Sequence, residues 1–367
     1  MAADYDAAIL GGGPAGVAAA LGLARAGARV LLMERSPRPQ DKPGEVIASS
    51  ARPVLAGLGL EPAFAPFRTH TLAASLACWD SAEGTQRDAI CDPYGGGVLV
   101  RRSQFEGWLL SAARAAGVDV RMAAEPREIE RAGGVWRLAL GTPDATLRAG
   151  LLIEATGRGR GAIGAGARRC ADRQIALIAR FPAGERGGDQ RLLIEATEAG
   201  WFYAARPPSG EIVVSLQTGR DCAPKGAAAR CAWWWAQMRS TRHISVWLRR
   251  FSPSAALRGH VAGGSIRLRL AGEGWVAVGD AAAAYDPLTG QGVATALAKG
   301  AALARLLASR SRAAAIAEYV DAERSLFENY ETEHDAVYRR AAPRFSSAFW
   351  SDPTDQNASG PGKSATV

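Results

Sequence analysis

Apolar residues fill Ala7 to Leu10 without a break and then yield to Gly11-Gly12-Gly13-Pro14-Ala15-Gly16. A short, wholly apolar run bounded by glycines predicts a strand buried on both faces, Asp6 to Leu10. Alanine and leucine dominate Val17 to Arg25, predicting a helix that Gly27 closes, and Arg29 to Met33 forms a second apolar strand ending at Glu34-Arg35. The three segments make a βαβ unit.

The pattern then changes. A proline-punctuated stretch from Ser36 to Gly44 precedes a helix over Ser49 to Leu58, and Thr71 to Val100 alternates and turns often, as strands of a second sheet do. Phe105, Trp108, Leu109 and Ala112 recur at helical spacing, so Gln104 to Ala116 reads as an amphipathic helix, followed by a strand over Val118 to Met122. Val135 to Leu140 and Ala145 to Leu147 predict a hairpin around Gly141 and Pro143, with a separate short strand from Leu151 to Glu154. Several strands follow between Ile175 and Leu216. Ala227 to Met238 is a predicted helix whose consecutive Trp233, Trp234 and Trp235 cannot share one face, so at least one ring looks outward, either toward a partner or as a partly exposed core residue. Trp275 to Val278 predicts a strand, and helices are expected over Gly292 to Ser309 and about Ala313 to Tyr338.

The first glycines carry specific chemistry. Gly11-x-Gly13-x-x-Gly16 lies between a strand and a helix, the context in which such spacing binds a dinucleotide. Gly11 permits the tight turn, Gly13 admits a pyrophosphate to the backbone, and Gly16 lets helix and strand pack closely. Pro14 and Ala15 belong to the same cofactor-binding turn, ahead of a helix whose N-terminus offers N–H groups and partial positive charge to phosphates. Glu34 stands where a carboxylate accepts ribose hydroxyls, with Arg35 beside it; a carboxylate there disfavours NADP but does not separate NAD from FAD.

Four segments then carry a resemblance. Gly274-Trp275-Val276-Ala277-Val278-Gly279-Asp280-Ala281-Ala282, with Asp286-Pro287-Leu288-Thr289-Gly290-Gln291-Gly292, resembles the second FAD motif of the para-hydroxybenzoate hydroxylase superfamily. Arg102 to Phe105 resembles its Arg-x-x-Phe/Leu element, and Glu154-Ala155-Thr156-Gly157 its Asp-Ala-Thr-Gly element with Glu in place of Asp. The resemblance implies FAD as cofactor, with Asp280 on the ribityl chain, and Arg102, Gly157, Pro287, Gly290, Gln291 and Gly292 near the flavin. It also implies an α/β fold: a Rossmann-like FAD-binding domain from residues 1–75, 98–166 and 264–310, with an inserted, mostly antiparallel β-sheet substrate domain from 76–97 and 167–263. A C-terminal helical region over 311–350 and a disordered tail over 351–367 complete the expectation.

Within that superfamily, Lys42-Pro43-Gly44-Glu45 resembles the flavin-covering Lys-x-Gly-Glu segment of flavin-dependent halogenases and geranylgeranyl-reductase-like proteins, and Gly200-Trp201-Phe202-Tyr203 resembles their substrate-domain strand. The catalytic candidates are therefore Glu45, Lys42, Trp201 and Tyr203. For Glu45 a structural pairing with Lys42 or an arginine competes with catalysis; for Trp201 and Tyr203 core packing competes with an aromatic substrate pocket. The halogenase signature is only partly kept in Trp201 to Pro207, and no lysine occurs between Lys42 and Lys225, where a halogenase holds its catalytic lysine. With the Arg344-Phe345 and Phe349-Trp350 ending, the chain looks most like the flavoprotein monooxygenases of protein-derived quinone (cysteine tryptophylquinone) biogenesis, which hydroxylate tryptophan in a partner protein. A flavin-dependent halogenase or geranylgeranyl-reductase-like oxidoreductase acting on a small molecule, and an FAD-binding scaffold without turnover, are the other readings. No second nucleotide motif is present, so electrons come from transiently bound NAD(P)H or a separate flavin reductase.

Composition adds limits. The 367 residues carry a formal charge of +8 and 48% apolar content, ample for a sizeable core. The excess is arginine, since the lysines are Lys42, Lys225, Lys299 and Lys363, and it favours an anionic cofactor or an acidic partner. No dense basic run or nucleic-acid motif accompanies it. The cysteines and the four histidines show no metal-ligand spacing, His70 being a weak candidate base, so no metal is expected. No segment is apolar enough for a signal peptide or a membrane span, and a cytoplasmic enzyme is expected.

Overall fold

The structure, a computed structural model, describes residues 3–140, 146–159, 161–163, 166–183, 189–251 and 256–351. The expected turn at Gly141 and Pro143, and all but Ser351 of the expected tail, lie outside the described residues. The chain forms two compact units, one from Met1–Pro66, Arg101–Arg169 and Ser265–Phe327, the other from Phe67–Val100, Cys170–Gly264 and Glu328–Val367.

In chain order, the first unit opens with β1 (Tyr5–Leu10), α1 (Pro14–Arg25), β2 (Val30–Glu34) and α2 (Ala51–Gly57). The second unit contributes β3 (Ala74–Cys78) and β4 (Thr85–Asp88). The chain then returns to the first with α3 (Arg102–Ala115), β5 (Asp119–Met122), β6 (Glu128–Ala132), β7 (Val135–Ala139) and β8 (Thr146–Glu154). Next in the second unit come β9 (Gln174–Pro182), β10 (Arg191–Thr197), β11 (Gly200–Ala205), β12 (Glu211–Gly219), α4 (Ala227–Arg239), α5 (Ile244–Leu248) and β13 (Arg258–Val261). β14 (Trp275–Ala277), α6 (Gly292–Ser309) and α7 (Arg312–Ala341) end the chain. Residues 311–350, read from the sequence as one helical region, are shared between the units at Phe327 and Glu328.

The sheet of the first unit runs β14-β8-β1-β2-β5, with the Ala271–Gly272 pair at one edge and the β6–β7 hairpin attached to β8. The β14-β8-β1-β2-β5 pairs are parallel, and the central stretches Ala7–Leu10, Val30–Met33 and Leu151–Ile153 are apolar and buried, as strands of a parallel sheet are. One sequence expectation is corrected here. Leu147 and Leu151–Glu154 do not belong to two strands: β8 is continuous, pairing antiparallel with β7 through Ala149 and parallel with β1 as far as Glu154. β6 was not foreseen; its half-polar Glu-Ile-Glu-Arg-Ala has no apolar run to announce it.

α1 and α6 cross at glycine and alanine. A Cβ placed on Gly300 would lie 2.2 Å from the Ala15 carbonyl oxygen, and one on Gly22 would lie 2.5 Å from the Ala304 Cβ. Backbone therefore meets backbone at this crossing, which larger side chains would forbid.

The second unit is a seven-stranded sheet, β13-β9-β12-β11-β10-β3-β4, antiparallel except for the β10–β3 pair. Leu177, Phe181, Phe202, Val214 and Leu216 on one face pack against Trp234, Trp235 and Met238 of α4 and Ile244 and Leu248 of α5. Trp234 and Trp235 are buried and Trp233 only partly so, as three consecutive positions on a helix require. Among the described residues no helix is long and apolar enough to cross a membrane.

Candidate functional site

Register brings the motifs together. Leu10 pairs with Met33 and Glu154, and Glu154 with Ala277, so β1, β2, β8 and β14 end level at one edge of the parallel sheet. Hydrogen bonds continue past the strand ends: Gly11 N–H donates to Met33 O, Ala155 N–H to Leu10 O and Val278 N–H to Glu154 O, each 2.8 Å. Three turns thus emerge side by side, at the carboxyl ends where open α/β sheets bind ligands. Sequence separations of about 120 to 270 residues collapse to adjacent loops.

The glycines divide into two kinds. Gly11, with φ +115°, would put a Cβ 2.3 Å from Ala155 O, and Gly16 would put one 2.1 Å from Gly11 O, so both are fixed by packing. Gly279, with φ +63°, would put a Cβ 2.6 Å from the Ala15 Cβ, which seats the second motif directly on the first turn of α1. Gly13, Gly157, Gly290 and Gly292, by contrast, face open space, with nothing within 4 Å of their Cβ positions. Packing makes the walls, and bare backbone faces the gap. Pro14 is the first residue of α1, and the first helical bond, Val17 N–H to Gly13 O at 2.9 Å, leaves the Ala15 and Gly16 N–H groups ahead of it.

Glu34 ends β2 and is partly buried. Its Oε2 accepts from Gly12 N–H at 2.9 Å and its Oε1 from Ser36 N–H at 3.0 Å. Burial alone would raise its pKa, but those N–H groups and the Lys42 charge outweigh it and hold the carboxyl below its usual range. Each oxygen keeps a further lone pair for a hydroxyl. Arg35, the neighbouring candidate, is exposed.

Asp280 follows Gly279 on a single 3-10 turn and is held by Arg158, whose Nε lies 3.3 Å from its carboxylate and which also donates to Tyr285 O. Arg168 donates to the carbonyls of Asp280 at 3.0 Å and Ala281 at 3.2 Å, pinning the same turn from behind. Below it, Glu154 is fully buried and pairs with Arg267 at 2.5 Å while accepting from Ala162 N–H at 2.8 Å. The Glu that departs from the superfamily's Asp thus anchors the loop after β8. None of Arg158, Arg168 and Arg267 was foreseen, because a lone arginine has no periodic signature.

The Lys42–Glu45 segment is tied to α3. Lys42 Nζ lies 2.9 Å from Glu106 Oε2, Arg102 reaches the other oxygen of Glu106, and Arg102 also donates to Pro43 O at 2.9 Å. Glu106, 3% exposed, is the unforeseen hub of this group. Glu45 is buried, and Gly44 N–H donates to its carboxylate at 3.1 Å. Ser50 Oγ, just before α2, donates to Gln291 Oε1 at 2.5 Å, joining this side to the start of α6. Pro287 and Gly290 turn the chain into that helix through a 2.9 Å bond.

Behind the second motif sits a buried triad. Lys299 of α6 donates to Glu323 of α7 at 2.5 Å and to Tyr285 Oη at 2.7 Å, with side-chain exposures of 5% for Lys299 and 1% for Glu323. Burial lowers the Lys299 pKa more than Glu323 restores it. Burial likewise raises the Tyr285 phenol, helped by the charges of Glu323 and Asp280.

Trp201 and Tyr203 belong to the second unit. Trp201 is buried, its indole N–H donates to Tyr338 Oη at 2.8 Å, and its ring stands edge-on to Trp79 at 6.1 Å. Tyr203, two residues further along the same strand and on the same face, is half-buried and pairs with Ile194 and Ser215. His70 is exposed.

FAD fits this site on its own geometry. An open glycine cradle lies ahead of a helix N-terminus, one carboxylate stands beside it at the end of β2, and a second stands on a turn pressed against the same helix. When bound, FAD supplies the redox chemistry; the chain's residues bind it, orient it and fix the loops around it.

Known proteins agree. The family described as FAD dependent oxidoreductase matches residues 6–177. LodB of Marinomonas mediterranea, which carries the name of an FAD-dependent oxidoreductase, is 27% identical over 95% of this chain and 96% of its own. Among solved structures, the flavin-dependent halogenase CmlS overlays with a TM-score of 0.81 at 23% identity, over 95% of this chain and 67% of the other. The peptidyl tryptophan dihydroxylase QhpG, described as essential for tryptophylquinone cofactor biogenesis, overlays at 0.76 and 23% identity, over 96% and 79%. The α/β fold read from the sequence is the fold these flavoproteins share, and over residues 6–177 the chain is similar to FAD-dependent oxidoreductases.

Proposed function

We propose that the protein is a monooxygenase that hydroxylates an aromatic group, the tryptophan side chain of a partner protein during maturation of a quinone cofactor. The likeness to QhpG across nearly the whole chain supports this reading, and CmlS makes halogenation its competitor. One observation favours hydroxylation. The chain has no lysine from residue 43 to 224, and Lys42 is committed to the buried Glu106 at 2.9 Å. No lysine of the halogenase type therefore stands in this stretch to act on the substrate, which supports hydroxylation.

In this reading Gly13, Ala15, Gly16 and Glu34 bind the adenosine and pyrophosphate parts, and Asp280 the ribityl chain. Gly290, Gln291 and Gly292 present backbone and the α6 N-terminus to the flavin ring, where helix-end charge favours an electron-rich flavin. Lys42 and Arg102 hold the Pro43–Glu45 segment through Glu106. Tyr203 lines the aromatic substrate's pocket, with Trp201 supporting its strand. Electrons arrive from NAD(P)H or a separate flavin reductase, and the protein works in the cytoplasm.

Co-expression with a candidate quinoprotein and intact-mass analysis of that partner test the reading. A gain of one or two oxygens on a tryptophan-bearing peptide is expected. Halide incorporation instead, or an unmodified partner beside an FAD-loaded enzyme, overturns it.

A further inference from the structure

Positive charge is unevenly spread. Between Arg220 and His260 stand Arg220, Lys225, Arg230, Arg239, Arg242, Arg249, Arg250 and Arg258 against a single acid, Asp221. That stretch nets 8 − 1 = 7 positive charges, against +8 for the whole chain. It contains α4 and α5, whose apolar sides are already covered by the second unit's sheet. Their outer sides are exposed, including Arg239, Arg242, Arg249 and Arg250.

The turn and short helix at Arg242–Arg250 have a distinct composition. Ile244 and Leu248 point into the core, leaving Val246 on the outside at 53% exposure. Next to it, the Arg206 guanidinium lies 4.4 Å over the ring of Trp247. Burial depresses the Arg206 pKa, and the like charge of Arg250 depresses it further, against an opposing pull from Asp189. That carboxylate is already taken by Arg191 at 2.6 Å. The buried Glu195 accepts the N–H groups of Arg242, His243 and Ile244 with both oxygens, so it serves the backbone of α5 instead of the guanidiniums. None of Arg206, Arg242, Arg249 and Arg250 makes an ion pair among the described residues. Like charges crowded around an apolar centre repel one another in the free protein.

We propose that this patch, Val246 and Trp247 framed by Arg206, Arg242, Arg249 and Arg250, docks an acidic segment of a partner protein that carries an apolar side chain among its carboxylates. The carboxylates relieve the guanidinium repulsion, and the apolar residue covers Val246. Planar guanidiniums suit paired carboxylate recognition, and the one-signed surface speeds encounter with an acidic partner. The inference builds on the partner-protein reading above and names the chemistry of that partner's docking surface.

The test measures binding alone, with oxidised enzyme and no turnover, so its failure leaves the oxidation chemistry untouched. The probe is a fluorescently labelled peptide of Asp and Glu with one central Leu, titrated with the FAD-loaded protein at about 0.15 M salt, where charges further apart than about 8 Å are screened. Arg242→Glu/Arg249→Glu/Arg250→Glu is compared with Arg38→Glu/Arg114→Glu/Arg305→Glu, which makes the same change in net charge at other exposed arginines. Melting temperature and flavin absorbance confirm that both variants are folded. Expected is a loss of affinity of about tenfold or more in the first variant and little change in the second. Equal losses in both, or no measurable binding by the wild type, overturn the proposal. So does tighter binding of a DNA duplex of equal charge with the same variant dependence, which would make the patch a nucleic-acid surface.

Discussion

Replacing Glu323 with Gln probes a deeply buried ion pair behind the second glycine motif. The substitution keeps shape and removes charge, leaving the Lys299 ammonium, 5% exposed, with a neutral partner. Removing one member of a buried pair costs about 3–5 kcal/mol, because the other charge remains desolvated. At roughly 2–4 °C per kcal/mol for a unit of this size, melting should fall by roughly 6–20 °C. Changing both residues, Lys299→Met with Glu323→Leu, removes the stranded charge, and most of that loss should return. A residue of about 1 kcal/mol should persist, since Tyr285 Oη loses its Lys299 donor. The pH dependence gives a second reading. Lys299 has a folded pKa below its ordinary 10.5, so the unfolded chain binds more protons between the two values, and stability rises with pH across that window. Without Glu323 the folded value drops further, and the rise should begin at lower pH in Glu323→Gln than in wild type. Calorimetric melting across neutral to alkaline pH checks both. A single variant that melts with wild type, or a double variant as damaged as the single, refutes the reasoning.

Three further outcomes are expected. Gly13→Asp places a carboxylate in the open cradle and should abolish FAD binding while circular dichroism stays native; retained flavin absorbance would count against the site. Glu34, whose carboxyl sits below its usual range, remains ionised from neutral pH down through that range. FAD affinity by fluorescence titration should therefore be flat over those pH values, and Glu34→Gln should weaken it at all of them. Arg267→Met strands the fully buried Glu154 and should lower stability by about 3–5 kcal/mol in denaturant unfolding.

Much of the fold was readable because its signals are local. The apolar run before Gly11, the glycine spacing and the alanine-rich stretch from Gly292 to Ser309 each specify an element from consecutive residues, and the last matches α6 residue for residue. The continuity of β8 was hidden because its first half pairs with a hairpin strand and its second half lies in the sheet interior, so its pattern changes midway. At the site, the glycines and the two carboxylates were legible as motifs. Their supports were not. Glu106, Arg158, Arg168, Arg267 and the Lys299–Glu323 pair act through partners far along the chain or on another helix face, and only folding decides who those partners are.

The glycine–alanine crossing of α1 and α6 has a mechanical consequence. A seam lined with leucines has slack, since its side chains change rotamer and absorb small displacements. Here Gly300 abuts the Ala15 carbonyl and Gly22 abuts Ala304, so nothing soft separates the two helices. Both helices begin at the cradle, α1 at Pro14 and α6 at Gly292, and a shift imposed at one mouth must carry the other with it. The two glycine turns from which these helices start are in effect one rigid jig, whose gauge is set by missing side chains.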